Sequence, residues 1–258
     1  MNPAQYFKLY REELGFRNQN EAKKFLSAKD LQPNIDFEYI DNLNSRIKQI
    51  IVKINNIVTF GLCEKDLKSF LFNKVDLPYN TIRKAGLLPR LNNQGRRPES
   101  VLFSWLRGYA ITEYFTPAFA KIFDVEIESI ISIGDDKLSN TETFRRTPTA
   151  DLEIEKNNKK IRIEVQSGFQ GINDIKEHKV REAKRVYKEQ GIPTICVHID
   201  LFNGQVAFVK LNIIEDNDIN FVTRQQMEGQ SVLTIDQNYF KWRLMDPPPS
   251  LEDLELNL

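Results

Sequence analysis

The stretch IPTICVHIDL, residues 192–201, is a largely apolar run in which only Thr194, His198 and Asp200 are polar. A strand with one wet face alternates apolar with charged or polar residues, whereas a nearly continuous apolar run that carries no Lys, Arg or Glu reads as a strand covered on both faces. Its flanks supply the cover and the partners. NDIKEHKVREAKRVYKEQG, just before it, reads as a charged amphipathic helix closed by Gly191. Further upstream, TADLEIE and IRIEVQ alternate with period two and read as strands joined by Asn157-Asn158-Lys159-Lys160. Downstream, Asn203-Gly204 predicts a tight hairpin turn into QVAFVKLN. VEIESIISI (125–133) predicts one more strand, and ESVLFSWLRGYAITEYFTPAFAKIF a long amphipathic helix that opens near Pro98 and is kinked or ended near Pro117. The order is helix, three strands, helix, two strands. It calls for an α/β (α+β) fold, a mixed sheet with helices on both sides.

The rest of the chain divides around this block. RLNNQGRRPES is polar, contains Gly and Pro, and reads as a linker, which suggests a helical N-terminal part over 1–95, a sheet-bearing core over 96–211 and a C-terminal extension over 212–258. Residues 1 to about 30 look helical, with Phe7, Tyr10, Leu14, Phe25 and Leu26 as the apolar positions. Ile47, Ile50, Ile51 and Ile54 keep a helical spacing. CEKDLKSFLFNKVDLPYNTIRKAGLLPR gives two short helical patterns broken at KVDLPY, where Pro78 stops the first or opens a turn. A helix-turn-helix reader has this outline, with Tyr79, Asn80, Thr81, Arg83 and Lys84 exposed at the start of its second helix. The ending, DPPPSLEDLELNL, reads as an extended, acidic and partly mobile tail.

Net charge is zero, with 36 basic and 36 acidic residues, which argues against a basic coat over the whole surface. The distribution is less even. Residues 51–110 carry ten Lys/Arg against four Asp/Glu, and residues 201–258 carry four against nine. A neutral protein so arranged can present one basic face to a phosphate backbone. No apolar run approaches membrane-spanning length, and the charged N-terminus is unlike a secretory signal. Cys63 and Cys196 have no metal-ligand spacing and read as free thiols, which fits a cytoplasmic protein.

Chemistry concentrates at the hairpin. Period two sends Arg162, Glu164 and Gln166 to one face, and a hairpin centred between Asn157 and Asn158 brings Asp151 beside Glu164. Two carboxylates so placed repel unless a cation lies between them, and an oxygen-only pair suits Mg²⁺, which can activate water against a phosphate. An ordinary charged hairpin accounts for the same spacing. His178 and His198 pair with no Ser or Cys in a triad-like arrangement, and no Gly-rich phosphate loop occurs.

Taken with the order of elements, this segment resembles the PD-(D/E)XK nuclease superfamily, the core shared by type II restriction endonucleases and many repair nucleases. Thr149-Ala150-Asp151 matches the family's Pro-Asp, and Glu164-Val165-Gln166 its acidic-X-Lys tripeptide, from the helix near Glu99 to the strand ending near Lys210. Ala150 replaces the proline and Gln166 the lysine. The resemblance implies a restriction-endonuclease-like fold, Mg²⁺ held by Asp151 and Glu164, and a water placed by Gln166. Lys179, Arg181 or Lys184 on the following helix are candidates for the missing charge, and Glu113 for a further ligand or water-holder. It implies double-stranded DNA as partner, with Tyr79, Asn80, Thr81, Arg83, Lys84, Arg96, Arg97, Arg145 and Arg146 as contacts, and a homodimer cutting a short symmetric site. The expectation is a type II restriction endonuclease. Two alternatives stand beside it: a structure-directed repair or competence nuclease, and a non-catalytic DNA-binding protein on the same fold.

Overall fold

Capping side chains open each of the first three helices. Asn2 accepts from the Ala4 amide at the start of α1 (Pro3–Glu13), Asn18 from Glu21 at α2 (Gln19–Leu26), and Asp36 from Tyr39 at α3 (Phe37–Asn55). The chain is described by a computed structural model over residues 2–28, 30–91, 96–134, 149–214, 222–224 and 230–256. α3 buries Ile40, Ile47, Ile51 and Ile54 along one face. On α1 and α2, by contrast, Phe7, Tyr10, Phe25 and Leu26 stay exposed, as does Leu14 just beyond α1.

The expected helix, tight turn and helix are not what the structure shows at 67–84. A π-helical stretch, Phe72–Asp76, joins α4 (Leu67–Leu71) directly to α5 (Leu77–Lys84). Pro78 sits in the first turn of α5, where its missing N–H is tolerated, and the widened turn before it carries the chain past without a break. α6 (Pro98–Phe123) begins at Pro98, continues through Pro117 and closes at Asp124, whose φ is 51°.

The sheet grows from the hairpin. After β1 (Ile131–Ser132), which is all of 125–133 that forms a strand, come β2 (Leu152–Lys156) and β3 (Lys159–Gly168). Asn157 and Asn158 between them both take positive φ, 50° and 58°. That is the pair a two-residue type I′ turn requires, and asparagine tolerates it. β4 (Asp174–Lys176) takes three residues expected to be helical, and α7 (Glu177–Gln190) follows and ends at Gly191 with φ 70°. β5 (Thr194–Asp200) is buried throughout and lies parallel to β3, with β6 (Gln205–Lys210) antiparallel to it. β7 (Val222–Arg224), β8 (Gln230–Thr234) and β9 (Phe240–Arg243) complete the strands. The main sheet has the order β1-β2-β3-β5-β6-β9, and β4-β8-β7 form a small second sheet.

Both faces of β5 are covered, as its apolar run requires. Ile195, Val197 and Ile199 join α6 and the N-terminal helices in one continuous core, while Cys196 packs under Val180 and Ala183 of α7. The C-terminal residues are part of that core and not a loose tail. Leu254 and Leu256 are buried in it, Leu251 packs against it, and the indole of Trp242 donates to the Asp246 carbonyl at 3.0 Å. Their apolar spacing outweighs the acidic residues between them.

On the α7 face, β5 also carries His198, 3% exposed, with Nε2 2.9 Å from Asn173 Oδ1. Gly168 makes room for it, since a Cβ there would stand 3.0 Å from Nε2. Burial, outweighing the charges of Asp200 and Asp174, lowers the His198 pKa to about 4. A group whose folded pKa lies below an unfolded value of about 6.5 contributes stability that is complete above about pH 6.5 and lost as pH falls toward about 4. The loss is of the order of 3 kcal/mol. Melting temperature followed against pH should therefore fall over that interval in the wild type, and His198→Gln should flatten it. Equal slopes in both proteins would assign the acid lability to other groups.

Candidate active site

The hairpin turn dictates what meets across β2 and β3. Leu152 pairs with Ile163 and Lys156 with Lys159, so the same register carries Asp151 opposite Glu164. Asp151 is held there through its backbone as well as its side chain. Its amide donates to the Ile163 carbonyl at 3.1 Å, its carbonyl accepts from Ile133 at 2.9 Å, and its Oδ2 accepts from the Val165 amide at 2.7 Å. The carboxylate thus sits where β1, β2 and β3 meet, with little freedom to turn.

Glu164 is only 4% exposed. A carboxylate that deep needs a partner, and α7 provides one: Lys179 Nζ lies 2.8 Å from Glu164 Oε2 and 3.4 Å from the Thr149 carbonyl oxygen. Burial is the largest influence on this ammonium and pulls its pKa down. The charge and hydrogen bond of Glu164, with the charge of Asp151, outweigh it and hold the pKa above the ordinary lysine value. Lys179 is therefore a fixed cation at neutral pH and not a proton acceptor. Cys196, next to Glu164 on β5, has its thiol pushed well up, first by burial and then by the two carboxylates, and stays protonated.

Gln166 is one strand repeat beyond Glu164, on the same face and beside His198 of β5. It is half-buried, and its amide has no hydrogen-bond partner among the described residues. Of the three candidate cations on α7, Lys179 is bonded to Glu164, and Lys184 is half-buried further along the helix. Arg181 is exposed and pairs with Glu177 of its own helix. Helix phase separates them: Lys179 stands four and seven residues before Ala183 and Val186, which face the sheet.

The other expected site residues lie elsewhere. The Glu113 carboxylate is engaged by Lys74 of the π-helical stretch. Tyr79 is buried, 5% exposed, and so is not an exposed reader. Burial raises its hydroxyl pKa. Asn80, Arg83 and Lys84 are exposed on α5, with Arg83 stacked 4.5 Å from the Phe37 ring centroid, while Thr81 donates to the Leu77 carbonyl. Arg96 donates to Ser104 Oγ at 2.8 Å. Arg97 pairs with the fully buried Glu99, which also accepts from the Asp36 amide and so ties α3 to α6. Arg145 and Arg146 lie outside the described residues.

The donor set fits a hard divalent cation. Two carboxylates and one ammonium leave a net negative charge, all donors are oxygen, and Mg²⁺ is commonly bound by one or two carboxylates with waters and substrate phosphates. Among the described residues no group of three or more His, Cys, Asp or Glu side chains could hold a metal ion, so an ion here would rely on the carboxylate pair together with water and substrate oxygens. No described helix is long and apolar enough to cross a membrane.

No family model matches the sequence, and no curated protein matches it either. Among solved structures, a Holliday junction resolvase from the archaeal hyperthermophile Archaeoglobus fulgidus aligns over 55% of this chain and 92% of its own, at 12% identity and a TM-score of 0.33. Similarity at that level leaves the functional reading to the site itself.

Proposed function

We propose that this chain is a Mg²⁺-dependent endonuclease that hydrolyses phosphodiester bonds of double-stranded DNA, of the type II restriction kind. The observation that carries the reading is the triad of charges at one end of the hairpin. Asp151 is locked opposite Glu164, and the Lys179 ammonium is bonded to Glu164 where the motif lysine is absent. Asp151 and Glu164 would hold the metal, which when bound supplies Lewis-acid charge at the scissile phosphate and lowers the pKa of a bound water. Gln166, half-buried and without a partner, can accept a hydrogen bond from the attacking water and orient it. Lys179 supplies the positive charge that a glutamine cannot, and its buried setting strengthens that charge against a developing phosphorane. The helical region that shares the core, with Asn80, Arg83 and Lys84 exposed, supports sequence-directed binding.

Cleavage of phage or plasmid DNA in Mg²⁺ tests the assignment. Wild type should give discrete bands, and Asp151→Ala and Glu164→Ala should each lose ~10²-fold or more of the rate while still binding DNA. Full activity in either variant would refute the site. Random nicking by the wild type would favour a structure-directed nuclease, and binding without cleavage in any divalent metal a non-catalytic DNA-binding protein.

Lys179 has a separate readout. Lys179→Met leaves Glu164 buried beside Asp151 without its cation, at a cost of about 3–5 kcal/mol. A metal ion taken up by the two carboxylates should return part of that stability. Added Mg²⁺ is therefore expected to raise the melting temperature of Lys179→Met more than that of wild type, while the cleavage rate remains low. An equal Mg²⁺ shift in both proteins would show that the ammonium and the metal do not share this site.

A further inference from the structure

Outside the carboxylate pair, one cation is held in a way the fold itself does not explain. Arg107 of α6 lies with its guanidinium carbon 3.3 Å from the ring centroid of Phe169 and 4.8 Å from that of Phe103. Phe103 is one turn back on the same helix, and Phe169 is the residue directly after β3. Both rings lie within cation–π reach of the guanidinium and remove much of its water. Among the described residues no carboxylate forms an ion pair with Arg107, and its Nε is buried without a hydrogen-bond partner.

Such an arrangement is unfavourable for the isolated protein. Burial, with the charge of nearby Arg96, lowers the Arg107 pKa to about 10, so the group remains charged at neutral pH but is poorly compensated. Elsewhere the fold does supply counter-ions to cations that it shelters, as Glu164 does for Lys179, Glu113 for Lys74 and Glu153 for Arg162. A rigid, desolvated guanidinium without a carboxylate is matched by an external oxyanion. Its planar fork suits phosphate in particular.

Its position indicates which phosphate. β3 runs from Glu164 through Gln166 to Gly168, and Phe169 continues it, so the clamp stands at the exit of the strand that carries the site. At ~3.3 Å per residue the offset from Glu164 is roughly 15 Å. Phe169 packs on the α6 side with Ile161 and Ile163, whereas Glu164 faces Lys179 of α7. Clamp and carboxylates thus flank the end of the sheet where β3 exits, and a duplex laid across that end spans both, because its phosphates extend well past the scissile one. We infer that Arg107, clamped between Phe103 and Phe169, anchors a backbone phosphate of the DNA to one side of the cleaved bond. The inference rests on the nuclease reading above and adds a contact without base specificity.

Binding without cleavage tests it. A short duplex is titrated with wild type, Arg107→Met and Arg107→Lys in Ca²⁺ over a range of salt, with melting temperatures taken alongside. Arg107→Met keeps the packing stem, and should weaken binding ~10-fold at low salt and reduce the slope of log affinity against log salt by about one. Arg107→Lys should keep the slope and lose only a few-fold in affinity, because the charge remains without the fork. If Arg107→Met melts too low to assay, Arg107→Gln replaces it in the comparison with Arg107→Lys. Unchanged affinity and slope in the neutral variant, with wild type binding normally, overturns the anchor and leaves the nuclease reading intact. Wild type that binds no duplex at all overturns both.

Discussion

Everything at the site depends on a two-residue turn. With Asn157 and Asn158 both at positive φ, β2 and β3 can pair in one register only, and that register puts Asp151 across from Glu164. A slip of one residue would send the whole apolar set of β3 to the opposite face, exposing Ile161 and Ile163, which are buried here against the α6 side. The core therefore enforces the same alignment that the turn selects. Two carboxylates are brought together as a consequence of burying two isoleucines.

That convergence creates an electrostatic demand which the rest of the core answers. β5 lies parallel to β3, so a crossover is needed between them, and α7 is that crossover. Its apolar phase, Val180, Ala183 and Val186, seats it on the sheet and carries Lys179 down onto Glu164. A buried ion pair adds little net stability on its own, since desolvation offsets most of the attraction. On the proposed nuclease reading, its place here, with an excess negative charge, prepares the site for a cation and an anionic substrate.

Most of the sheet was legible because its signals are local. Alternation marks β2 and β3, the nearly continuous apolar run marks β5 as central, Gly191 closes α7, and the hairpin's symmetry alone places Asp151 beside Glu164. What the sequence hid depended on tertiary packing. Tyr79 looks like a polar-tipped reader, yet α5 turns it into the helical core, and Pro78 looks like a turn where a π-helical widening keeps the helix going. The acidic residues of 252–255 suggest a loose end, but Leu254 and Leu256 find the core between them. Glu113 has the right chemistry for a ligand, and only the structure shows Lys74 holding it. Lys179 was one of three candidates, separable from Arg181 by helix phase. Arg107 gave no signal beyond Phe103 four residues earlier, because Phe169 reaches it only through the fold.

On the proposed nuclease reading, Lys179 explains why a single substitution in the motif need not disable such a centre. A motif lysine serves both as a charge near the scissile phosphate and as a donor fixed on β3. With glutamine at 166, the donor and acceptor groups stay on the strand, while the charge comes from α7, bonded to the same glutamate that faces Asp151. Moving the charge to a helix makes it depend on how α7 packs, so the small residues Ala183 and Cys196 beneath that helix matter to the chemistry as well as to the core. A larger side chain at either position would lift α7 from the sheet and draw Lys179 away from Glu164. The electrostatics of the site are in this sense set by packing volume several residues from any reacting atom.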